Sequence, residues 1–235
     1  MTSSTLAGPE IEAVVRAGDL SGAVTALASR LRAAPGDRDT RMVLFQVLCV
    51  GADWDRAQAQ LRVLGGQSPD LQMLARAYAQ AIEAMKARDG EIAEADFTDA
   101  PDTPGEADGQ RFDFLFDGDT RFGPNLEAIV GGTRRLIPFA TMLSLDTEGP
   151  VDLRDLVWLP AQIRLRDGSG LAALLPVTYP GTAAEADTML RLARRTEWRE
   201  HGGGIHGVGQ RIWTTSSGHD VPILEFRHLC FENTA

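Results

Sequence analysis

The stretch Ala17–Ala23 reads AGDLSGA, and the stretch Gly51–Ala57, which starts 34 residues later, reads GADWDRA. Both stretches have an aspartate at the third position and an alanine at the seventh. The same offset pairs Leu27 with Leu61. A period of about 34 residues is typical of tetratricopeptide units, each of which is a pair of antiparallel helices. The repeat therefore predicts helical hairpins in the N-terminal part of the chain.

The repeated residues fit such hairpins physically. Asp19 and Asp53 each stand where a side chain can cap a helix N-terminus, and the small Ala23 and Ala57 let neighbouring helices approach closely. Apolar residues at helical spacing predict five helices, near residues 9–17, 20–33, 38–50, 54–64 and 70–88. This is about two repeats and a capping helix, which is short for a solenoid. We therefore expect residues 1–88, a tetratricopeptide-like helical domain, to be stabilised by packing against the part of the chain that follows.

Acidic residues concentrate directly after the helices. Residues 89–119 hold eleven of the 33 acidic residues and one of the 23 basic residues, so the rest of the chain has 22 of each. Residues 89–109 also contain two prolines and several glycines. This composition predicts a solvated acidic linker over 89–109. A contact for a basic partner surface is the alternative interpretation of the acidic run.

Residues 110–235 show the alternating patterns of β-strands. Leu126–Val130 and Arg134–Phe139 flank two glycines and predict one hairpin, and Leu156–Leu165 and Leu171–Val177 predict a second. A single helix is expected over Asp187–Arg195, and Gly209–Thr215 with Val221–Phe231 are expected to form a last strand pair. The predicted fold class is α+β, with helical hairpins followed by a β-rich α+β domain.

The composition also bears on location and partners. No apolar run is long enough for a membrane span, and the first residues lack the basic start and apolar core of a secretory signal. We therefore expect a cytoplasmic protein that does not bind membranes. Because nucleic-acid binding usually requires a concentrated basic face, and none is evident, we expect no nucleic-acid partner.

Several patterns resemble catalytic or ligand-binding motifs, but each is incomplete. The run His201–Gly204 reads HGGG, like the oxyanion loop of some esterases, but the chain contains no Gly-x-Ser-x-Gly nucleophile motif. The four histidines lack the spacing of a metal site, and the glycines of 204–209 match no phosphate-binding pattern. The prediction is a chain that is not an enzyme and has no catalytic, metal or cofactor-binding residues. An enzyme that uses the His201–Gly209 loop is kept as an alternative.

Aromatic and arginine side chains are the best candidates for contacts with other proteins, because these residue types dominate binding hot spots. Paired charges beside tryptophans are equally consistent with a structural role, in which arginine–carboxylate pairs fix strands and loops. The partner-binding candidates are Trp54, Tyr78, Trp158, Tyr179, Arg194, Arg195 and Trp198.

Six stretches of the β-rich part occur in the order found in one family. They are GPNLEA (123–128), IPF (137–139), DLRDLVWLPA (152–161), LPVTYPG (175–181), LARRTEW (192–198) and GVGQR (207–211). Together with the helical start, they make the chain resemble the ImpE/SciE family, also called TagJ, whose members are accessory proteins encoded in type VI secretion loci.

The resemblance implies specific partners. Members of the family are described as binding the small subunit of the contractile sheath, TssB, through an exposed helix of that subunit. A link to the sheath-disassembling ATPase ClpV is the second implied partner. The resemblance transfers no catalytic residues, and it implies a non-catalytic adaptor. A self-associating scaffold protein is the other alternative that the sequence leaves open.

Overall fold

The N-terminal part of the protein is an array of five antiparallel helices. A computed structural model describes residues 9–88, 92–97 and 100–232. The helices are α1 (Pro9–Arg16), α2 (Leu20–Ala33), α3 (Arg38–Val50), α4 (Trp54–Gly65) and α5 (Pro69–Arg88). The carboxylate of Asp19 accepts a hydrogen bond from the amide of Gly22, and that of Asp53 accepts one from Arg56. These caps satisfy amides that a helix start leaves unpaired, so they explain why α2 and α4 begin where the repeat predicts.

The second part is built from antiparallel strands. An eight-stranded sheet has the order β2-β1-β13-β6-β7-β8-β4-β5, a three-stranded sheet has the order β12-β11-β3, and β9 pairs with β10. One short helix, α6 (Thr188–Arg191), lies between β8 and β9. The strands are β1 (Gly105–Ala107), β2 (Gln110–Phe112), β3 (Leu115–Asp117), β4 (Asn125–Val130), β5 (Thr133–Pro138), β6 (Met142–Asp146), β7 (Trp158–Leu165), β8 (Gly170–Pro176), β9 (Thr196–His201), β10 (Gly204–Gly209), β11 (Ile212–Thr215), β12 (Asp220–Pro222) and β13 (His228–Phe231).

The predicted fold class, helical hairpins followed by a β-rich α+β part, is confirmed. The two predicted hairpins are β4–β5 and β7–β8. The last predicted strand, Val221–Phe231, is in fact two strands in different sheets, because the chain turns after Pro222 before β13 joins β6 and β1.

One strand lies inside the segment predicted as the acidic linker. β1 pairs with β13 and β2, and both Gly105 and Ala107 are buried. A β-carbon on Gly105 would overlap the carbonyl oxygen of Cys230, so only glycine fits this close approach of two strands. Ordered sheet structure therefore begins before residue 110.

Two apolar cores stabilise the molecule, and the first crosses from the helices to the sheet. It contains the buried faces of all five helices together with Ile129, Val157, Trp158 and Leu192 from the β-rich part. The second core lies between the sheets around Leu145, Ile163 and Trp213. As expected for a short repeat array, the helices complete their burial against the rest of the chain. Among the described residues, no helix is long and apolar enough to cross a membrane.

Candidate protein-binding surface

Three aromatic partner-binding candidates form an internal contact between the helices and the sheet. The ring of Trp158, which is completely buried, lies 5.8 Å from that of Trp54 and 5.5 Å from that of Tyr78. The guanidinium of Arg154 lies 5.1 Å from the Tyr78 ring and pairs with Asp152. Since Trp158 is enclosed by its own chain, it has no surface to offer another protein in this structure.

Tyr179 is also internal. Its side chain is 1% exposed, and its hydroxyl oxygen lies 3.0 Å from a carboxylate oxygen of Asp117 and accepts a hydrogen bond from the amide of Ile212. The ring lies beneath Gly207, where a β-carbon would overlap it. Tyr179 therefore contributes to the core of the β-rich part, and a direct contact with a partner would require local unfolding.

A buried ionic network joins the end of α5 to the sheet. Arg88 donates a hydrogen bond to Glu127 at 3.0 Å and another to the carbonyl of Thr178. Arg211 pairs with both Glu127 and Asp117, and these four side chains are at most 3% exposed. Burying charges is costly unless each is paired and hydrogen-bonded, as here. The network thus fixes how the helices sit on the sheet.

The network changes the acidity of its members. Burial raises the pKa of Glu127, but Arg88, Arg211 and Arg134 outweigh that effect and hold the pKa below its ordinary value. Burial lowers the pKa of Arg88 to about 10, against the opposing effect of Glu127. Arg211 has a raised pKa because Asp117 and Glu127 together exceed the effect of its burial. The charged pairs therefore persist at neutral pH.

Asp117 should make the stability of the protein depend on pH. Burial raises its pKa from 3.8 to about 6, although Arg211 opposes this shift. Its contribution is therefore complete below about pH 4 and is lost as the pH rises through about 6. We expect the wild type to lose about 3 kcal/mol of unfolding free energy between about pH 4 and 7 that the Asp117→Asn variant does not lose. Urea denaturation of both proteins across this range measures the difference, and a difference that is constant with pH would contradict the assignment.

The remaining three candidates are at the surface. Trp198 is 43% exposed, with its inner side against Gly118 and the ring of Tyr179. Arg195 pairs with Asp187 and Glu197, and Arg194 donates a hydrogen bond to the carbonyl of Arg16. These residues form an accessible patch beside α6, in which both arginines also hold local structure together.

The His201–Gly209 loop is a hairpin of β9 and β10. Gly202 and Gly203 form its turn with φ values of 59° and 90°, a region that favours glycine. The Nε2 atom of His206 lies 2.5 Å from a carboxylate oxygen of Glu94. The ring centroids of His201 and His206 are 5.2 Å apart. Across the part of the chain that the structure describes, no group of three or more His, Cys, Asp or Glu residues could hold a metal ion.

An open groove runs along the outer side of α2, and we call it the α2 groove. Its apolar lining comes from Leu20, Val24 and Ala28 of α2, and from Val47 and Leu48 at the end of α3. Val47 and Leu48 are buried and form the floor, whereas Val24 and Ala28 are partly exposed. Sequence reasoning missed this groove, because the free side of a repeat array is known only once its other side is seen to be covered.

The polar rim of the α2 groove is mainly basic. Arg32 lies at one end, Arg56 comes from the first turn of α4, and Arg191 comes from α6. Asp53 is the acidic residue among those that line the groove, and it pairs with Arg56 at 3.0 Å. Three arginines and one aspartate leave a positive excess on a chain whose net charge is -10.

Comparisons with known proteins agree with this architecture. The crystal structure of protein VPA1032 from Vibrio parahaemolyticus superimposes with a TM-score of 0.83 and covers 96% of this chain and 98% of that one, at 19% sequence identity. This likeness shows that the two proteins share a fold.

Sequence comparisons identify the family. The chain is 35% identical to the type VI secretion system accessory component TagJ of Pseudomonas aeruginosa, over 95% of this chain and 91% of that protein. The family model described as ImpE protein matches residues 109–230, which include all six of the β-rich stretches. This protein therefore belongs to the ImpE family, as the resemblance of its sequence motifs implies.

Proposed function

We propose that this protein is a non-catalytic accessory component of a type VI secretion system that binds the small sheath subunit, TssB, through an exposed helix of that subunit. The observation that carries the proposal is the 35% identity to TagJ along nearly the whole of both chains. A contact with the ATPase ClpV, which would link this enzyme to the sheath, is the second part of the proposal.

The geometry supports an adaptor in two ways. The helical repeat leaves one long face of α2 open, and such faces suit the docking of a helix from another protein. Arg194, Arg195 and Trp198 provide a second set of accessible side chains beside α6, with the exposed indole that interfaces often use. Two sets of accessible side chains would allow two partners to be held together.

Calorimetric titration with purified proteins tests the proposal. We expect the chain to bind the small sheath subunit of its own locus with a Kd of about 1–10 µM, a range that is typical of helix-in-groove contacts of modest size. A subunit that lacks its exposed helix is the matched control and should not bind. Absence of binding at about 100 µM subunit would contradict the adaptor function, as would equal binding of the shortened subunit.

The ATPase contact needs a separate measurement. Purified ClpV should be retained by the immobilised chain, and the Trp198→Ala and Arg194→Ala variants should reduce retention if the patch beside α6 is the contact. Retention of ClpV only when the sheath subunit is also present would show that the link is indirect. No retention under either condition would contradict this part of the proposal.

A further inference from the structure

We infer that the α2 groove is the site that takes the partner's helix, and that this helix is amphipathic with acidic residues beside its apolar face. The inference rests on the proposed function for the identity of the partner. The chemistry of the occupant, however, follows from the groove itself.

The shape of the α2 groove fits a helix. Short side chains line α2 in two pairs four residues apart, Ser21 with Thr25 and Val24 with Ala28, so they form two adjacent ridges on one face of the helix. Ridges of small residues allow a second helix to pack closely. From Leu20 to Arg32 the groove follows α2 for roughly 18 Å, which is the length of about three helical turns.

The helical surface with large aromatic side chains is partly covered. Tyr78 and Trp54 pack against Trp158, so the β-rich part of the same chain covers part of each ring. In the α2 groove, the partly exposed apolar residues Val24 and Ala28 lie beside a buried floor.

The charge of the α2 groove selects the occupant. Arg32, Arg56 and Arg191 lie around an apolar strip, so carboxylates that flank an apolar helix face would meet guanidinium groups. Two acids outside the lining, Asp19 and Asp187, keep their negative charge but already have partners. Asp19 caps α2, and Asp187 caps α6 and pairs with Arg195. A basic helix would instead face a lining with a net positive charge, since three arginines outnumber the one aspartate, Asp53, which pairs with Arg56.

Paired peptides test the inference without the sheath protein. Two designed amphipathic peptides of about 16 residues share one Leu/Ala face and carry either Glu or Lys on both flanks. Fluorescence anisotropy should show that the Glu peptide binds the wild type at least tenfold more tightly than the Lys peptide. In the Arg32→Glu/Arg56→Glu variant, this preference should disappear or reverse.

A matched variant controls for net charge. Arg62→Glu/Arg76→Glu changes the charge by the same amount at exposed positions of α4 and α5 outside the α2 groove, so it should keep the preference for the Glu peptide. The groove variant should fold, because glutamate at position 56 stands three residues after the capping Asp53, where it is favourable. Three results would overturn the inference: equal affinity of the wild type for the two peptides, no binding of the Glu peptide at about 1 mM, or loss of the preference for the Glu peptide in the control variant.

The small sheath subunit then separates this inference from the proposed function. Binding of the subunit to the groove variant with unchanged affinity would overturn the α2 groove as the site and leave the adaptor function standing. Peptide selectivity without any binding of the subunit would support the groove chemistry and contradict the proposed partner. If the wild type were a dimer in solution and the groove variant a monomer, the occupant would be a second copy of the chain, which would also overturn the inference.

Discussion

The Glu127→Gln variant is expected to lose about 3–5 kcal/mol of unfolding free energy. Glu127 is fully buried and accepts hydrogen bonds from Arg88, Arg134 and Arg211. The substitution keeps the shape of the side chain but removes its charge. Arg88 and Arg211 would then remain buried with Asp117 as the one carboxylate in contact with Arg211. Leaving a buried charge uncompensated is among the most destabilising changes known in protein cores.

A second substitution should recover part of this loss. Arg88→Met removes one of the two buried cations and keeps an apolar chain of similar length, so the Arg88→Met/Glu127→Gln double variant should be more stable than the sum of the single effects implies. Such non-additivity is expected for groups that share one network.

Urea denaturation at about pH 8 measures both effects. Glu225→Gln, an isosteric change at an exposed position, is the matched control and should stay within about 0.5 kcal/mol of the wild type. If Glu127→Gln were equally mild, or if the double variant showed simple additivity, the network would not be what fixes α5 to the sheet.

Trp158→Ala is expected to destabilise the protein by about 3–5 kcal/mol and to loosen the helices from the sheet. The Trp158 side chain has no exposed surface, and its ring fills the space between Trp54, Tyr78 and the sheet. Removing it leaves a cavity at the contact that joins the two parts of the first core. The helical array, which is short for its class, would lose most of its support.

Hydrogen exchange together with thermal unfolding distinguishes a loss of contact between the helices and the sheet from a loss of stability throughout the protein. Amides of α3 and α5 should lose more protection than those of β6 and β7. Trp198→Ala is the same substitution at a residue that is 43% exposed, and it should lower the free energy of unfolding by about 1 kcal/mol or less. Uniform loss of protection across helices and strands would contradict a specific role of Trp158 at this contact.

Much of the fold could be predicted from the sequence because its signals are local. The repeated aspartates cap α2 and α4 through amides three residues away, and the two glycines at 131 and 132 form the turn of the β4–β5 hairpin. Patterns that act within a few residues leave a direct trace in the sequence.

Contacts between distant residues could not be predicted in the same way. β1 reads as part of an acidic linker, and its partner β13 lies more than 100 residues away. Asp117 belongs to the acidic run of residues 89–119, and its carboxylate pairs with Arg211 in the interior. The residues next to Asp117 and Arg211 in the sequence do not indicate that these two side chains pair.

The aromatic binding candidates differ in burial, which residue type alone does not indicate. Trp158 and Tyr179 are buried, whereas Trp54 and Tyr78 are partly exposed. The α2 groove consists of small residues and arginines, which attract little attention in a sequence. Its role remains a proposal that rests on shape and charge.

Photo-crosslinking from the α2 groove is the most direct measurement of how this protein would hold a sheath subunit. A photoreactive phenylalanine derivative would replace Thr25, which lines the groove, or Arg62, which is exposed on α4 outside the groove. We expect position 25 to capture the exposed helix of the small sheath subunit and position 62 to capture little. Capture from position 62 but not from 25, or from neither position at concentrations that saturate binding, would contradict the proposed site and its function as a helix-binding adaptor.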